Sequence, residues 1–262
     1  MTSEDSRATG GVDLVHLEPR PQAPATLVCL PYAGGGASLY RAWAARMDGR
    51  VEVVAARLPG RESRICEPPA VSPQALADAV TATVDRPYAF YGHSMGARLA
   101  FEATRLLRDQ GARTPQRLFL GGCKAPHLTS RGALEGVSGL PDADLVQTMR
   151  SSGSMPAEIA AFPELLEIVL PALRADLQWC DGYRYQPGPP VGMPITAFAG
   201  RDDPTMSVED MLQWERHTNA DFDLRVLPGD HFFLHDNVAE LCDCVADHLI
   251  AAVDQPAGGI RR

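Results

Sequence analysis

The chain has 262 residues, of which 45% are hydrophobic and 22% charged, so it is long enough to form one α/β domain with a large core. Its formal net charge of −9 argues against a protein that binds nucleic acid or an anionic membrane, because both require a basic surface. No secretory signal or membrane-spanning stretch is visible and the six cysteines are scattered, which together predict a cytoplasmic protein with reduced thiols.

Short apolar runs alternate with helical patterns along most of the chain. The runs are TLVCLPY (26–32), VEVVAARL (51–58), YAFYGH (88–93), RLFLGGC (117–123), PITAFAG (194–200) and FDLRVLPG (222–229). Apolar runs bounded by glycine and proline are typical of parallel strands covered on both faces. The spacers carry helical periodicity, as in residues 96–111. The alternation predicts an α/β fold with a doubly wound, mostly parallel sheet.

Both ends of the chain are polar or rich in proline and glycine. We therefore expect flexible segments at residues 1–23 and 254–262, with one domain between them at 24–253.

The loop LPYAGGGASLYRAW follows the first predicted strand, and its glycines at 34–36 permit two interpretations. One is a phosphate-binding loop, but the lysine of G-x-x-x-x-G-K-[ST] and the spacing of G-x-G-x-x-G are both missing. The other is a loop whose backbone N–H groups turn toward a reacting oxygen.

Ser94 lies in the pattern G-x-S-x-G, with Gly92 and Gly96 on either side. The pattern alone is weak, but here a strand precedes it and a helix follows it. That context predicts a strained strand-to-helix turn that raises the serine hydroxyl above the sheet as a nucleophile. His93 is expected to support this turn. The alternative is a glycine-rich turn with an incidental serine.

Residues 134–185 contain helical patterns and no convincing strand. We expect a helical lid over the carboxyl edge of the sheet, so that substitutions at Met149, Met155 or Trp179 alter substrate preference. The alternative is an ordinary pair of packing helices.

A serine nucleophile needs a base and an acidic residue that orients the base, in the chain order serine, acid, histidine. AGRDDP supplies Asp202 and Asp203 after one predicted strand, and LPGDHFFL supplies His231 after the next. Asp203 is preferred because it lies farther beyond the strand end. His235 is the alternative base, one helical turn after His231. When a serine attacks a carbonyl carbon, the carbonyl oxygen becomes a negatively charged oxyanion. Two backbone N–H groups, those of Ala33 and Met95, are expected to bind it.

The motifs LPYAGGGASLYRAW, ARLPGRESR, YGHSMGARLAFE, GCKAPH, AGRDDP and LPGDHFFL occur in this order. From about residue 25 to 250, the chain resembles the stand-alone type II thioesterases that accompany polyketide and nonribosomal peptide synthases. The resemblance implies an α/β-hydrolase fold with a helical lid and hydrolysis of acyl groups from the phosphopantetheine arm of acyl or peptidyl carrier proteins. It also implies the triad of Ser94, Asp203 and His231, the oxyanion donors Ala33 and Met95, and no metal or organic cofactor.

Two other functions stay open from the sequence. One is a general carboxylesterase of the same fold, and the other is a non-catalytic binding protein built on that fold. The arginines of ARLPGRESR (Arg57, Arg61 and Arg64) also have two interpretations. They could form a basic patch that docks an acidic carrier protein, or they could be structural arginines in a loop.

Overall fold

A seven-stranded sheet forms the central layer of this computed structural model, which describes residues 10–47, 49–128, 134–156, 159 and 161–254. The strands are β1 (Asp13–His16), β2 (Ala25–Leu30), β3 (Val51–Arg57), β4 (Tyr88–His93), β5 (Leu118–Gly121), β6 (Ile195–Gly200) and β7 (Phe222–Leu227). Their order in the sheet is β1-β3-β2-β4-β5-β6-β7. Only the β1–β3 pair is antiparallel among these strands. The predicted doubly wound, mostly parallel sheet is confirmed.

Helices cover both faces of the sheet. They are α1 (Arg41–Arg46), α2 (Pro73–Thr83), α3 (Met95–Asp109), α4 (Asp142–Ser151), α5 (Pro163–Gly182), α6 (Val208–Leu212), α7 (Phe233–Asp236) and α8 (Val238–Asp254). One buried cluster joins the sheet to α2 and α3, and a second joins it to α1 and α8. Burial on both faces explains why β2 and β4 consist entirely of buried residues. Within the described ranges, no helix combines the length and apolar character needed to cross a bilayer.

The prediction of a flexible segment over residues 1–23 is wrong for Asp13–His16, which form β1. Leu14 pairs with Ala56 and packs against one core cluster, whereas Val15 packs against the other. The strand is only four residues long, too short to give a clear alternating pattern, and it forms because β3 offers it an open edge. Residues 1–9 and 255–262 lie outside the described residues, so the rest of the two terminal predictions is not addressed there.

Between β5 and β6 the described residues form helices and no strand, as the sequence predicts for 134–185. α4 and α5 share a small apolar cluster of their own, to which Leu145, Met149, Leu173 and Leu177 contribute. This helical segment adjoins the loop after β2, because Ala33 packs against the same cluster. It therefore lies beside the end of the sheet where the carboxyl ends of the parallel strands meet.

Candidate active site

Ser94 lies between β4 and α3 in a backbone conformation that non-glycine residues rarely adopt, with φ 54° and ψ −116°. Its N–H donates to the carbonyl of Gly121 at 2.8 Å, and its own carbonyl accepts from the N–H of Ala97 at 3.1 Å. These bonds to β5 and α3 hold the strained turn in place. The side chain is thereby fixed at the junction of strand and helix.

The two glycines of the serine motif are required by close backbone contacts. A Cβ on Gly92 would lie 2.2 Å from the carbonyl oxygen of Gly96, and a Cβ on Gly96 would lie 2.3 Å from the carbonyl oxygen of Leu30. Both distances are far below van der Waals contact, and both opposing atoms are backbone. The G-x-S-x-G spacing therefore follows from the close approach of α3 to β4 and β2.

Three side chains from distant parts of the sequence lie in one hydrogen-bonded line. His231 Nε2 lies 3.2 Å from Ser94 Oγ, and His231 Nδ1 lies 2.8 Å from Asp203 Oδ2. An ionised carboxylate only accepts hydrogen bonds, so Nδ1 carries the proton and Nε2 can accept the hydrogen of the serine hydroxyl. The arrangement can remove the proton of Ser94 while the serine oxygen attacks a carbonyl carbon.

Asp203 is held ionised by hydrogen bonds. Its side chain is only 1% exposed, and Oδ1 accepts from Thr205 N–H at 2.8 Å and Thr205 Oγ1 at 2.7 Å. Burial raises the pKa of Asp203, but the hydrogen bonds and charge of His231, together with the bonds from Thr205, hold that pKa below its usual range. Thr205 was not singled out from the sequence. Its signal is the Asp-x-Thr spacing after a strand, which favours a turn closed by the aspartate side chain.

The alternatives to the base and the acid lie elsewhere. Asp202 is exposed. His235 is also exposed, and its Nε2 lies 3.3 Å from the hydroxyl of Tyr32. Ala33 and Met95, the predicted oxyanion donors, line one cavity together with Ser94 and His231. The structure thus brings together all five residues that the sequence predicts for the site.

Comparison with known proteins identifies the family. Residues 25–249 match the family model described as thioesterase domain. The chain belongs to the thioesterase family. It is a thioester hydrolase, and the predicted resemblance is confirmed over most of its length.

Three relatives illustrate the range of the similarity. Linear gramicidin dehydrogenase LgrE of Brevibacillus parabrevis is 39% identical over 227 residues, which are 84% of this chain and 86% of that protein. Thioesterase PikA5 of Streptomyces venezuelae is 33% identical over 261 residues, covering 98% of this chain and 92% of that protein. The solved type II thioesterase BorB from the borrelidin biosynthetic cluster is 34% identical with a TM-score of 0.81, covering 90% of this chain and 97% of that one. The likeness to BorB confirms the α/β-hydrolase fold.

In this thioesterase His93 supports the base as well as the serine turn. Its ring is fully buried, and Nε2 lies 2.7 Å from the backbone oxygen of His231, to which it donates. Burial, and then the charge of His231, lowers the pKa of His93 to about 3, so the ring is neutral at neutral pH. A neutral ring with its hydrogen on Nε2 holds the loop that carries His231 without adding a competing charge.

A buried ion pair fixes the glycine loop of the thioesterase. Asp176 of α5 is fully buried and bonds Arg61 twice, each time at 2.8 Å. The same carboxylate accepts from the N–H of Gly34 at 2.8 Å, and Arg61 donates to the carbonyl of Gly35 at 2.9 Å. The loop beside Ala33 is therefore held from both sides. A carboxylate at this position would repel a phosphate, which argues against the phosphate-binding interpretation.

Of the two interpretations of the arginines in ARLPGRESR, the structure supports structural arginines and not a basic patch, because two of the three are buried. Arg61 is 4% exposed and Arg64 is 7% exposed. Arg64 pairs with Glu67 at 2.5 Å, and Arg57 pairs with Asp13 at 3.0 Å. Buried guanidinium groups require partners within the fold, so these arginines have structural roles.

We expect Asp176→Asn to lower both stability and turnover. It leaves the buried guanidinium of Arg61 without its carboxylate, which typically costs about 3–5 kcal/mol of unfolding free energy. It also releases Gly34, so kcat should fall about tenfold or more if the adjacent Ala33 N–H binds the oxyanion. Urea denaturation and steady-state kinetics measure the two effects.

The matched control is Asp142→Asn. It removes an ion pair between the exposed Asp142 of α4 and Arg174, which lies on α5 like Asp176. Exposed pairs contribute about 1 kcal/mol or less, so this variant should resemble wild type. Equal kcat in wild type and Asp176→Asn would refute the role of the ion pair in fixing the loop.

Two cavities meet the site. The large cavity, of about 330 Å³, lies between the loop of residues 32–36 and the helical segment, and Met149, Met155, Ile168 and Leu173 contribute to its largely apolar lining. The small cavity, of about 70 Å³, is bordered by Ser94, Met95, Arg98, Lys124, Thr205 and His231. A narrower space lined by Tyr32, Ala33, Met149, Ser94 and His231 leads from the large cavity to the serine.

Proposed function

We propose that this thioesterase hydrolyses acyl groups from the phosphopantetheine arm of carrier proteins in polyketide or nonribosomal peptide synthases, clearing aberrant or stalled chains. The observation that supports it most directly is the Ser94–His231–Asp203 line, with His231 Nε2 at 3.2 Å from Ser94 Oγ, in a chain whose relatives include type II thioesterases of biosynthetic clusters.

The reaction proceeds in two halves. Ser94 Oγ attacks the thioester carbonyl carbon as His231 Nε2 takes the hydroxyl proton, and the Ala33 and Met95 N–H groups donate to the oxyanion. The carbon–sulfur bond then breaks, and His231 returns the proton to the leaving thiol. In the second half His231 takes a proton from water, which attacks the acyl-serine, and Ser94 regains a proton as the free acid leaves. These steps require no metal ion or organic cofactor.

We further propose that residues 134–185 act as the lid of one domain, which includes β1 as well as the predicted range 24–253. The helical segment supplies one side of the large cavity, and the loop after β2 supplies the other. A mainly apolar lining suits the hydrocarbon part of an acyl group. The acyl chain is therefore assigned to the large cavity.

A cytoplasmic location is proposed because the cysteines are reduced thiols, five of which are buried.

The function is tested with purified protein and a carrier protein loaded with acetyl, propionyl or octanoyl groups. We expect mass spectrometry to show the unloaded carrier together with the free acid. An oxygen ester of the same acyl group should react more slowly than the thioester. Faster turnover of the oxygen ester would favour the carboxylesterase alternative. No turnover, together with no labelling of Ser94 by a fluorophosphonate, would favour a binding protein.

The lid assignment predicts a change of acyl-length preference in Met155→Ala. Met155 lines the large cavity and is 8% exposed. Shortening it enlarges the cavity by a few atoms, so the ratio of kcat/KM for octanoyl to acetyl thioester should rise about five- to tenfold. Steady-state kinetics with both thioesters measures the ratio.

Trp179 serves as the control for this prediction. Its ring lies 6.0 Å from that of Tyr183, and Trp179 is not among the residues that line the two described cavities. Trp179→Phe should therefore leave the octanoyl-to-acetyl ratio unchanged, in contrast to the sequence-based expectation. An unchanged ratio in Met155→Ala would show that the helical segment only packs against the domain.

A further inference from the structure

Arg98 is a buried cation beside the nucleophile that the reaction above does not use. The residue is 8% exposed and borders the small cavity together with Ser94 and His231. It lies in the first turn of α3, which begins directly after Ser94. Arg98 and the reacting groups therefore border the same small cavity.

The guanidinium of Arg98 lacks hydrogen-bond acceptors. Its Nε is buried without a partner, and in the part of the chain that the structure describes neither a hydrogen bond nor an ion pair reaches the group. A buried donor without an acceptor destabilises the fold, and more so when it is charged. A ligand that supplies the missing acceptor would offset this destabilisation.

The charge of Arg98, by contrast, is already partly balanced. Its Cζ lies 4.6 Å from the centre of the Tyr183 ring, whose face attracts cations. The Tyr183 hydroxyl donates to Glu102 at 2.5 Å, and Glu102 also pairs with Arg105 at 3.0 Å. The cation therefore lies in a network that already contains a carboxylate. A ligand in the small cavity is therefore expected to offer Arg98 a hydrogen-bond acceptor rather than a second negative charge.

The leaving group of the reaction carries such an acceptor. The departing sulfur must lie near His231 Nε2 to receive its proton, and His231 borders the small cavity. In a phosphopantetheine arm, two methylene groups separate the sulfur from an amide. Its carbonyl oxygen lies roughly 5–6 Å from the sulfur by ordinary bond lengths. Arg98 borders the same small cavity as Ser94 and His231.

We propose that Arg98 donates hydrogen bonds to the amide carbonyl of the phosphopantetheine arm nearest the thioester, and that the small cavity receives this part of the arm. The proposal rests on the proposed function, since it needs a pantetheine thioester as substrate. The acyl group then extends into the large apolar cavity, and Arg98 is a specificity-determining residue for the leaving group.

Two butyryl thioesters that differ only in the amide test the proposal. One is the N-acetylcysteamine thioester, which carries the amide, and the other is the thioester of 4-methylpentane-1-thiol, in which carbon replaces its nitrogen and oxygen. Wild type should prefer the N-acetylcysteamine thioester in kcat/KM. Arg98→Met should lower this preference by about tenfold or more, because hydrogen bonds to charged groups are the stronger ones. Arg98→Lys, which retains a donor, should keep part of the preference.

Arg105→Met is the matched control, since Arg105 lies on the same helix, pairs with Glu102 and does not border the small cavity. It should keep the wild-type preference. An equal loss on both thioesters in Arg98→Met, or no preference in wild type, would overturn the proposal. Turnover of the alkyl thioester by wild type measures hydrolysis independently of any contact with the amide. A failure of the proposed function is therefore distinguished from a failure of the proposal for Arg98.

A measurement on wild type alone covers the case in which Arg98→Met fails to fold. The S-methyl ethers of the two thiols are compared for protection of Ser94 against fluorophosphonate labelling. The amide-containing ether should protect at about tenfold lower concentration than the alkyl ether. Equal protection by both ethers would also overturn the proposal.

Discussion

Replacing Ser94 with alanine is expected to lower kcat for an acyl-carrier thioester by at least about 10⁴-fold. The reason is that no other hydroxyl borders His231 Nε2 as Ser94 does, at 3.2 Å among the described residues. The variant loses one oxygen at a turn held by backbone bonds to Gly121 and Ala97, so its unfolding free energy should stay close to that of wild type. Release of the free acid from the loaded carrier measures turnover, and urea denaturation measures stability.

A serine outside the site provides the control for this experiment. Ser63 is exposed and borders neither of the two cavities that meet the site. Ser63→Ala should therefore retain full turnover and full labelling by a fluorophosphonate, whereas Ser94→Ala should lose both. If the activity of Ser94→Ala were within tenfold of wild type, the assignment of Ser94 as the nucleophile would be refuted.

The second large effect is expected for Asp203→Asn, which should lower kcat by about 10⁴-fold. Asparagine keeps the size of the side chain but can present an N–H to His231, which favours the wrong tautomer of the ring. It also removes the charge that stabilises the protonated histidine during attack on the carbonyl carbon. Stopped-flow or steady-state kinetics with an N-acetylcysteamine thioester measures the loss without involving carrier docking.

Asp202→Asn is the matched comparison, because it makes the same chemical change one residue earlier. Asp202 is exposed, and its N–H donates to the carbonyl of Gly229 at 3.0 Å, a backbone bond that the substitution preserves. We expect kcat within about threefold of wild type, as for most exposed substitutions. If the losses of the two variants were exchanged, the acid of the triad would be Asp202.

The strands that could be predicted from the sequence are the six that lie within the apolar runs bounded by glycine or proline. Five of the runs match strands with a neighbour on each side in the sheet, whereas FDLRVLPG matches β7, an edge strand whose residues are mostly half-buried. β1 was missed because four residues at a sheet edge carry little pattern. Edge strands depend on the neighbour that pairs with them, and the local sequence does not record that neighbour.

Some residues of the site could be predicted from local motifs, whereas others are recognised only from contacts between distant positions. Ser94, Asp203 and His231 could be predicted because each follows a predicted strand and its chemistry demands a fixed residue type. The partnership of Asp176 with Arg61 and Gly34 joins positions 115 and 142 residues apart. No local pattern indicates such a pairing, and the arginines of ARLPGRESR were for the same reason open to a surface interpretation.

The class of fold, the family and the predicted triad follow from short patterns, since their spacing is dictated by backbone geometry or by catalytic chemistry. The sequence patterns do not show which groups are buried together. In the folded chain Arg61 and Arg64 are buried, Trp179 lies outside the lining of the large cavity, and Arg98 borders the small cavity with a buried Nε that has no acceptor. Burial and partnership arise when distant segments pack, so they depend on the whole fold rather than on any one stretch of sequence.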